Sequence, residues 1–185
     1  MKIKTEIADF ASLVAEGKIE IYNEFSLQHE LGVFLRQRHG NLKVQFERNV
    51  AYFGFDSERF EKREIDISIF SEDQQQLKVA IELKFPRNGQ YPEQMFSFCK
   101  DIVFLEQLRS AGFEDCVFVV VADDRLFYEG NSKGIYSHFR GGVTLHGGIT
   151  KPTGRQDKVL TISGSYEVVW KPIAKPRKYA EIHVT

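Results

Sequence analysis

Two segments of the chain carry charged side chains at a spacing that could do chemistry: Arg63 to Phe70 (REIDISIF) and Ala80 to Phe85 (AIELKF). Both alternate aliphatic and polar residues, the period of a strand with one apolar face. The alternation places Ile65, Ile67 and Ile69 on one side of the first segment and Glu64, Asp66 and Ser68 on the other. In the second it groups Ile81, Leu83 and Phe85 against Glu82 and Lys84. On neighbouring strands, two carboxylates and an ammonium would then project from one side. Two carboxylates joined by a main-chain carbonyl and waters make the oxygen-rich shell that Mg2+ favours. A divalent ion held there, with a lysine beside it, suits phosphodiester hydrolysis. Glu64 shares the face of Asp66, and the shorter aspartate is preferred as the ligand. A Glu-x-Lys triplet alone is more often a cross-strand salt bridge, so the elements around it carry the argument.

Those elements are readable in order. Residues 6–16 have helical spacing and end at Gly17, and Asn23 with Ser26 offers N-cap chemistry to a second helix reaching Arg38. Three strands follow, at 43–50, 63–70 and 77–85, separated by polar turns, which predicts an antiparallel meander. Pro92 and the stripe Met95, Cys99, Ile102, Leu105 mark a long amphipathic helix ending at Gly112. Residues 116–122 are apolar throughout, as a central buried strand requires. Beyond Asp124 the glycine-rich sequence predicts a loop-rich extension closed by a hairpin of 158–162 with 166–173 around Gly164. The whole predicts one α/β (α+β) domain over 1–185, with a core at 24–124 and a β-rich basic extension at 125–185.

Asp66, then fifteen residues, then Glu82-Leu83-Lys84 on an apolar strand resembles the PD-(D/E)XK nuclease superfamily. The resemblance spans roughly residues 24–124 and implies a restriction-endonuclease-like central mixed sheet flanked by helices. It implies a Mg2+-dependent nuclease, with Mn2+ as a substitute, acting on nucleic acid and on DNA in particular. Asp66, Glu82 and the Leu83 carbonyl would hold the metal, Lys84 would position and activate water, and Glu30 on the preceding helix would complete the metal's surroundings. Glu30 also lies on the stripe Leu27, Glu30, Leu31, Phe34, where a carboxylate needs a partner or an outlet to water. Ile65 stands where the family often has proline, and a glutamine-x-x-x-tyrosine signature is present as Gln94 with Phe98. Gln94 could touch the metal's water or the scissile phosphate, and Arg87 and Asn88 could reach backbone phosphates. A homodimer, or a subunit of a restriction, repair or defence complex, is compatible with this resemblance.

Composition agrees with such a partner only in its distribution. Residues 1–132 hold 16 basic and 23 acidic side chains and residues 133–185 hold 9 and 3, a split of −7 against +6 within a net charge of −1. Lys151, Arg155, Lys158, Lys171 and Lys175 make the tail a candidate grip on a polyanion, and Tyr166, Trp170 and Tyr179 could stack on bases. The two cysteines and five histidines lack metal-ligand spacing. No stretch approaches the ~18 apolar residues of a membrane span and no signal-peptide core follows Met1, so a cytoplasmic protein with no membrane association is expected.

Overall fold

From the N-terminus, helices α1 (Ile3–Ala15) and α2 (Glu24–Arg38) lead into strands β1 (Lys43–Asn49), β2 (Glu64–Phe70) and β3 (Leu77–Lys84). Helix α3 (Tyr91–Ala111) connects β3 to β4 (Asp115–Ala122); the short α4 (Tyr136–Arg140), β5 (Leu145–Thr150), β6 (Val159–Tyr166), β7 (Lys171–Ala174) and β8 (Arg177–Val184) complete the chain. This is a computed structural model, and it describes residues 2–87, 89–154 and 159–185.

Six strands form one mixed sheet in the order β1-β2-β3-β4-β8-β7. β1, β2 and β3 pair antiparallel, as the meander pattern predicts, whereas β3 and β4 are parallel because the 21-residue α3 carries the chain back across the sheet. β4 is central because it can be buried on both faces. Val117, Val119 and Val121 face α1 and α2, while Cys116, Phe118, Val120 and Ala122 face α3. α2 starts where the sequence places it: the Asn23 side chain accepts from the Ser26 N–H at 2.8 Å, and Ser26 Oγ accepts from the Asn23 N–H at 3.0 Å.

The C-terminal third differs from expectation. β6 runs straight through Gly164 and pairs with β5, so no hairpin turns there. The closing hairpin is β7 with β8, and β8 lies beside β4 inside the main sheet. Its alternating Ala180, Ile182 and Val184 face α3 and Tyr179 packs on the opposite face, which makes it a structural strand of the core. Residues 177–184 are therefore part of the central sheet and not an appendage. Pro172 is tolerated because β7 is an edge strand. The β5-β6 pair instead covers the outer side of α3, burying Leu145, Ile149, Leu160 and Ile162 with the α3 side chains. Glu106 of α3 fastens it by accepting from the Ser163 N–H, the Gly164 N–H and the Tyr166 hydroxyl. Among the described residues no helix is long and apolar enough to cross a membrane.

Candidate metal and phosphate site

The β2 ladder is irregular at Asp66. Pairing between β2 and β3 runs from Phe70 opposite Leu77, across a register shift between Ile69 and Phe70, to Ile67 opposite Ile81, and on the other side β1 pairs Phe46 with Ile67 and Arg48 with Ile65. Asp66 makes its bonds elsewhere. Its N–H donates to Glu82 Oε1 at 3.2 Å, and its carbonyl accepts from Gln28 Nε2 of α2 at 2.9 Å. Its Oδ2 accepts the Leu83 N–H at 2.7 Å. Glu47, across from Asp66 on β1, has a positive φ of 47°, which is rare for a residue with a side chain. Its carboxylate accepts from Gln28 Nε2 at 2.5 Å. The strict alternation predicted for β2 breaks here: Ile67 and Ile69 pack under α1 and α2, but Ile65 packs on the α3 side with Val50 and Ala80.

Asp66, Glu82 and Lys84 meet at this irregularity. Glu82 points from β3 toward α3 and is completely buried, and Lys84 follows it on the same face. Two further residues join them that the sequence reading did not single out. Lys62, in the segment before β2, forms an ion pair with Glu82 and lies 2.9 Å from Asp101 and 3.9 Å from Asp66. Asp101, from α3, is buried at 2% exposure and sits 3.1 Å from Lys84 Nζ. Lys84 Nζ also donates to its neighbouring Leu83 carbonyl at 2.8 Å and lies 3.7 Å from Glu24.

The electrostatics follow from burial and sign. Burial pushes the Asp66 carboxyl up to about 6, against the opposing pull of Lys62 and Lys84. Glu82 is raised well above the usual carboxylate range, first by burial and then by the Asp66 and Asp101 charges. For Lys84, burial pulls the pKa down, but Asp101, Glu24 and Asp66 reverse this and leave it raised, so it is cationic at neutral pH. Lys62 is raised in the same way, its burial outweighed by Glu82, Asp101 and Asp66.

The helix carboxylate at the site is Glu24, not Glu30. Glu24 Oε2 accepts the Phe85 N–H at 3.0 Å, while Glu30 is half-buried at the edge of its stripe, 3.9 Å from His29. The face of α2 that meets the sheet runs through Leu27, Gln28, Leu31 and Leu35, which turns Glu30 away. Gln94 is half-buried in the first turn of α3, and among the described residues no hydrogen bond of its side chain reaches the cluster. Arg87 is held by the Tyr22 carbonyl at 2.9 Å and Asp123 at 3.0 Å. Lys171 is committed to Glu181 at 2.5 Å, so part of the tail's positive charge is already neutralised. Lys175 is exposed in the β7-β8 turn, beside Asp123 and Arg177, and Lys151 is half-buried. Asn88, Arg155 and Lys158 lie outside the described residues.

A small cavity of about 90 Å³ opens onto Asp66, lined by Glu24, Phe25, Gln28, Glu47, Asp66 and Leu83. A larger surface groove of about 960 Å³ lies elsewhere, between residues 54–60, α3 and β6, and its Glu106 is already spent on fastening β6. The small cavity reaches the irregular strand. Its lining suits a hard cation in kind: three of the six residues, Glu24, Glu47 and Asp66, are carboxylates and none is basic. As the side chains stand, however, among the described residues no group of three or more His, Cys, Asp or Glu is arranged to hold a metal ion. The point on which Glu82, Asp101 and Asp66 converge holds the Lys62 ammonium.

Comparison with protein-family models, with curated proteins and with solved structures finds no match for this chain.

Proposed function

We propose that the chain is a Mg2+-dependent nuclease that hydrolyses phosphodiester bonds of nucleic acid, DNA in particular, in the cytoplasm. The supporting observation is that Asp66, Glu82 and Lys84, singled out by strand alternation, share one buried cluster at the point where β2 leaves its regular ladder. Asp66, Glu82 and the Leu83 carbonyl would hold Mg2+ or Mn2+. Bound there, the ion would supply polarisation of a phosphoryl oxygen and a lowered pKa for an attacking water.

The remaining work falls to the chain's own groups. Lys84, raised in pKa and charged at neutral pH, serves as a fixed positive charge that orients water and offsets negative charge on the phosphate. Asp101 and Glu24 hold that ammonium in place from two helices. Gln28 fixes the backbone of Asp66, and the buried floor under Glu82 keeps solvent from screening these charges.

One observation favours a second reading, a non-catalytic domain of the same fold: both lysines are already ion-paired within the cluster, which is self-sufficient without a metal. Cleavage of DNA by the purified protein with Mg2+ separates the two. The nuclease reading expects cutting that Lys84→Ala and Asp66→Asn each abolish; unchanged Mg2+-dependent cutting in either variant removes the assignment.

A further inference from the structure

Lys62 has an unusual position for a lysine outside any strand or helix. Its Nζ is the meeting point of three carboxylates: it pairs with Glu82, lies 2.9 Å from Asp101 Oδ1 and 3.9 Å from Asp66 Oδ1. Two of those three are the residues assigned above to a divalent ion. An ammonium and a divalent cation cannot both be in contact with the same carboxylate oxygens, because their charges repel at that distance and each oxygen has few free directions. Lys84 competes less: of the groups assigned to the ion it touches the Leu83 carbonyl, whose second lone pair stays free, and it is otherwise tied to Asp101 Oδ2 and reaches out toward Glu24.

We propose that Lys62 is a tethered competitor for the divalent cation, holding the carboxylate cluster together in the metal-free protein and giving up its place when an ion binds. The inference rests on the metal-site reading of Asp66 and Glu82. The exchange balances in simple terms: one ammonium leaves, one divalent ion enters, and the carboxylates gain one unit of positive charge. Lys62 has a way out. Its side chain is 23% exposed while Glu82 is wholly buried, and it hangs on the irregular segment between a 3-10 turn and β2, so four methylenes can swing the head to solvent. Because the competitor is tethered, its local concentration is high whatever the solution contains, and the site's affinity for metal is set by this one side chain. A weakly bound monovalent ion would be excluded, and only a cation that both carboxylates grip directly would displace it.

Mn2+ binding measured by calorimetry on wild type, Lys62→Met and Glu82→Ala tests this directly. Lys62→Met should bind Mn2+ about tenfold or more tightly than wild type, as removal of a tethered competitor requires, and Glu82→Ala should not bind. Should Lys62→Met fail to fold, wild type carries the same test. Its Lys62 amine, labelled by an acylating reagent and located by mass spectrometry, should react faster in Mn2+ than in EDTA. Equal Mn2+ affinity in wild type and Lys62→Met, or unchanged Lys62 labelling with Mn2+ bound, overturns the competitor role while leaving the metal site intact. Absence of Mn2+ binding to both wild type and Lys62→Met removes the metal-site reading and this inference together.

Discussion

Asp66 is the residue whose substitution tests the electrostatic account most sharply, because function and stability should respond in opposite directions. Its carboxyl is raised from 3.8 to about 6 in the folded protein, chiefly by burial. That displacement corresponds to about 3 kcal/mol by which the fold disfavours the ionised side chain relative to the unfolded chain. The sign is fixed by proton count. Between about pH 4 and 6 the folded protein keeps a proton that the unfolded chain has lost, so this group's contribution to stability falls as pH rises through that window and is flat above it. Asp66→Asn removes the charge but can still accept the Leu83 N–H through its amide oxygen. Lys62, 3.9 Å from Asp66 Oδ1, loses part of its partner, which takes back some of the gain. The variant should therefore be more stable than wild type by about 1 to 3 kcal/mol at pH 7.5. The assay is urea denaturation of both proteins in EDTA at pH 4.5 and 7.5. The stability difference should be small at the lower pH and grow toward the higher. An Asp66→Asn protein less stable than wild type at pH 7.5, or a difference that does not change with pH, would refute the claim that burial disfavours this carboxylate.

Two further outcomes follow from placements in the fold. Glu24→Gln should lower Mg2+-dependent cleavage by about tenfold or more by weakening the hold on Lys84, whereas Glu30→Gln should leave it within about twofold; a steady-state comparison with DNA decides, and equal effects would return the helix carboxylate to an open question. Gly32→Ala should destabilise by about 1 to 3 kcal/mol in urea, because a Cβ there would stand 2.0 Å from Phe46 Cε1, and a neutral outcome would mean that the Phe46 ring turns aside without cost.

The meander, the crossover helix and the buried fourth strand were legible because each depends on a local period that no distant contact overrides. Glu82 and Lys84 were legible for the same reason. Asp66 lies beside Glu82 as the alternation places it, but Ile65 faces the other way, since the break in alternation comes from Gln28 and Glu82 replacing ladder partners, and both lie far along the chain. Glu30 was a matter of helix phase. Glu24 is the first residue of the helix, where no helical turn precedes it to mark which side faces inward. Asp101 did leave a signal: it interrupts the stripe of Phe98, Ile102 and Leu105, and a carboxylate there must find a partner. Lys62 left none, being one charge among Glu61, Arg63 and Glu64 in a segment without periodicity. β5 was hidden by Gly147 and Gly148, which lower strand propensity, and only the facing β6 organises it.

The cluster is an expensive way to build the middle of a protein, and that bears on its purpose. Asp66, Glu82 and Asp101 are all largely or wholly removed from water, two of them with raised pKa values, and two lysines had to be brought in from a loop and a strand end to balance them. Well-packed apolar side chains at such positions are commonly as stable or more so. A backbone irregularity at Asp66, a positive φ at Glu47 and a glutamine spent on an unpaired carbonyl add to the cost. Such an arrangement returns little to the fold by itself. It would return much to the proposed site, which would present fixed negative charge to a cation and fixed positive charge to a phosphate, and on that reading Asp66→Asn, expected to be more stable and inactive, is the variant in which the two demands come apart.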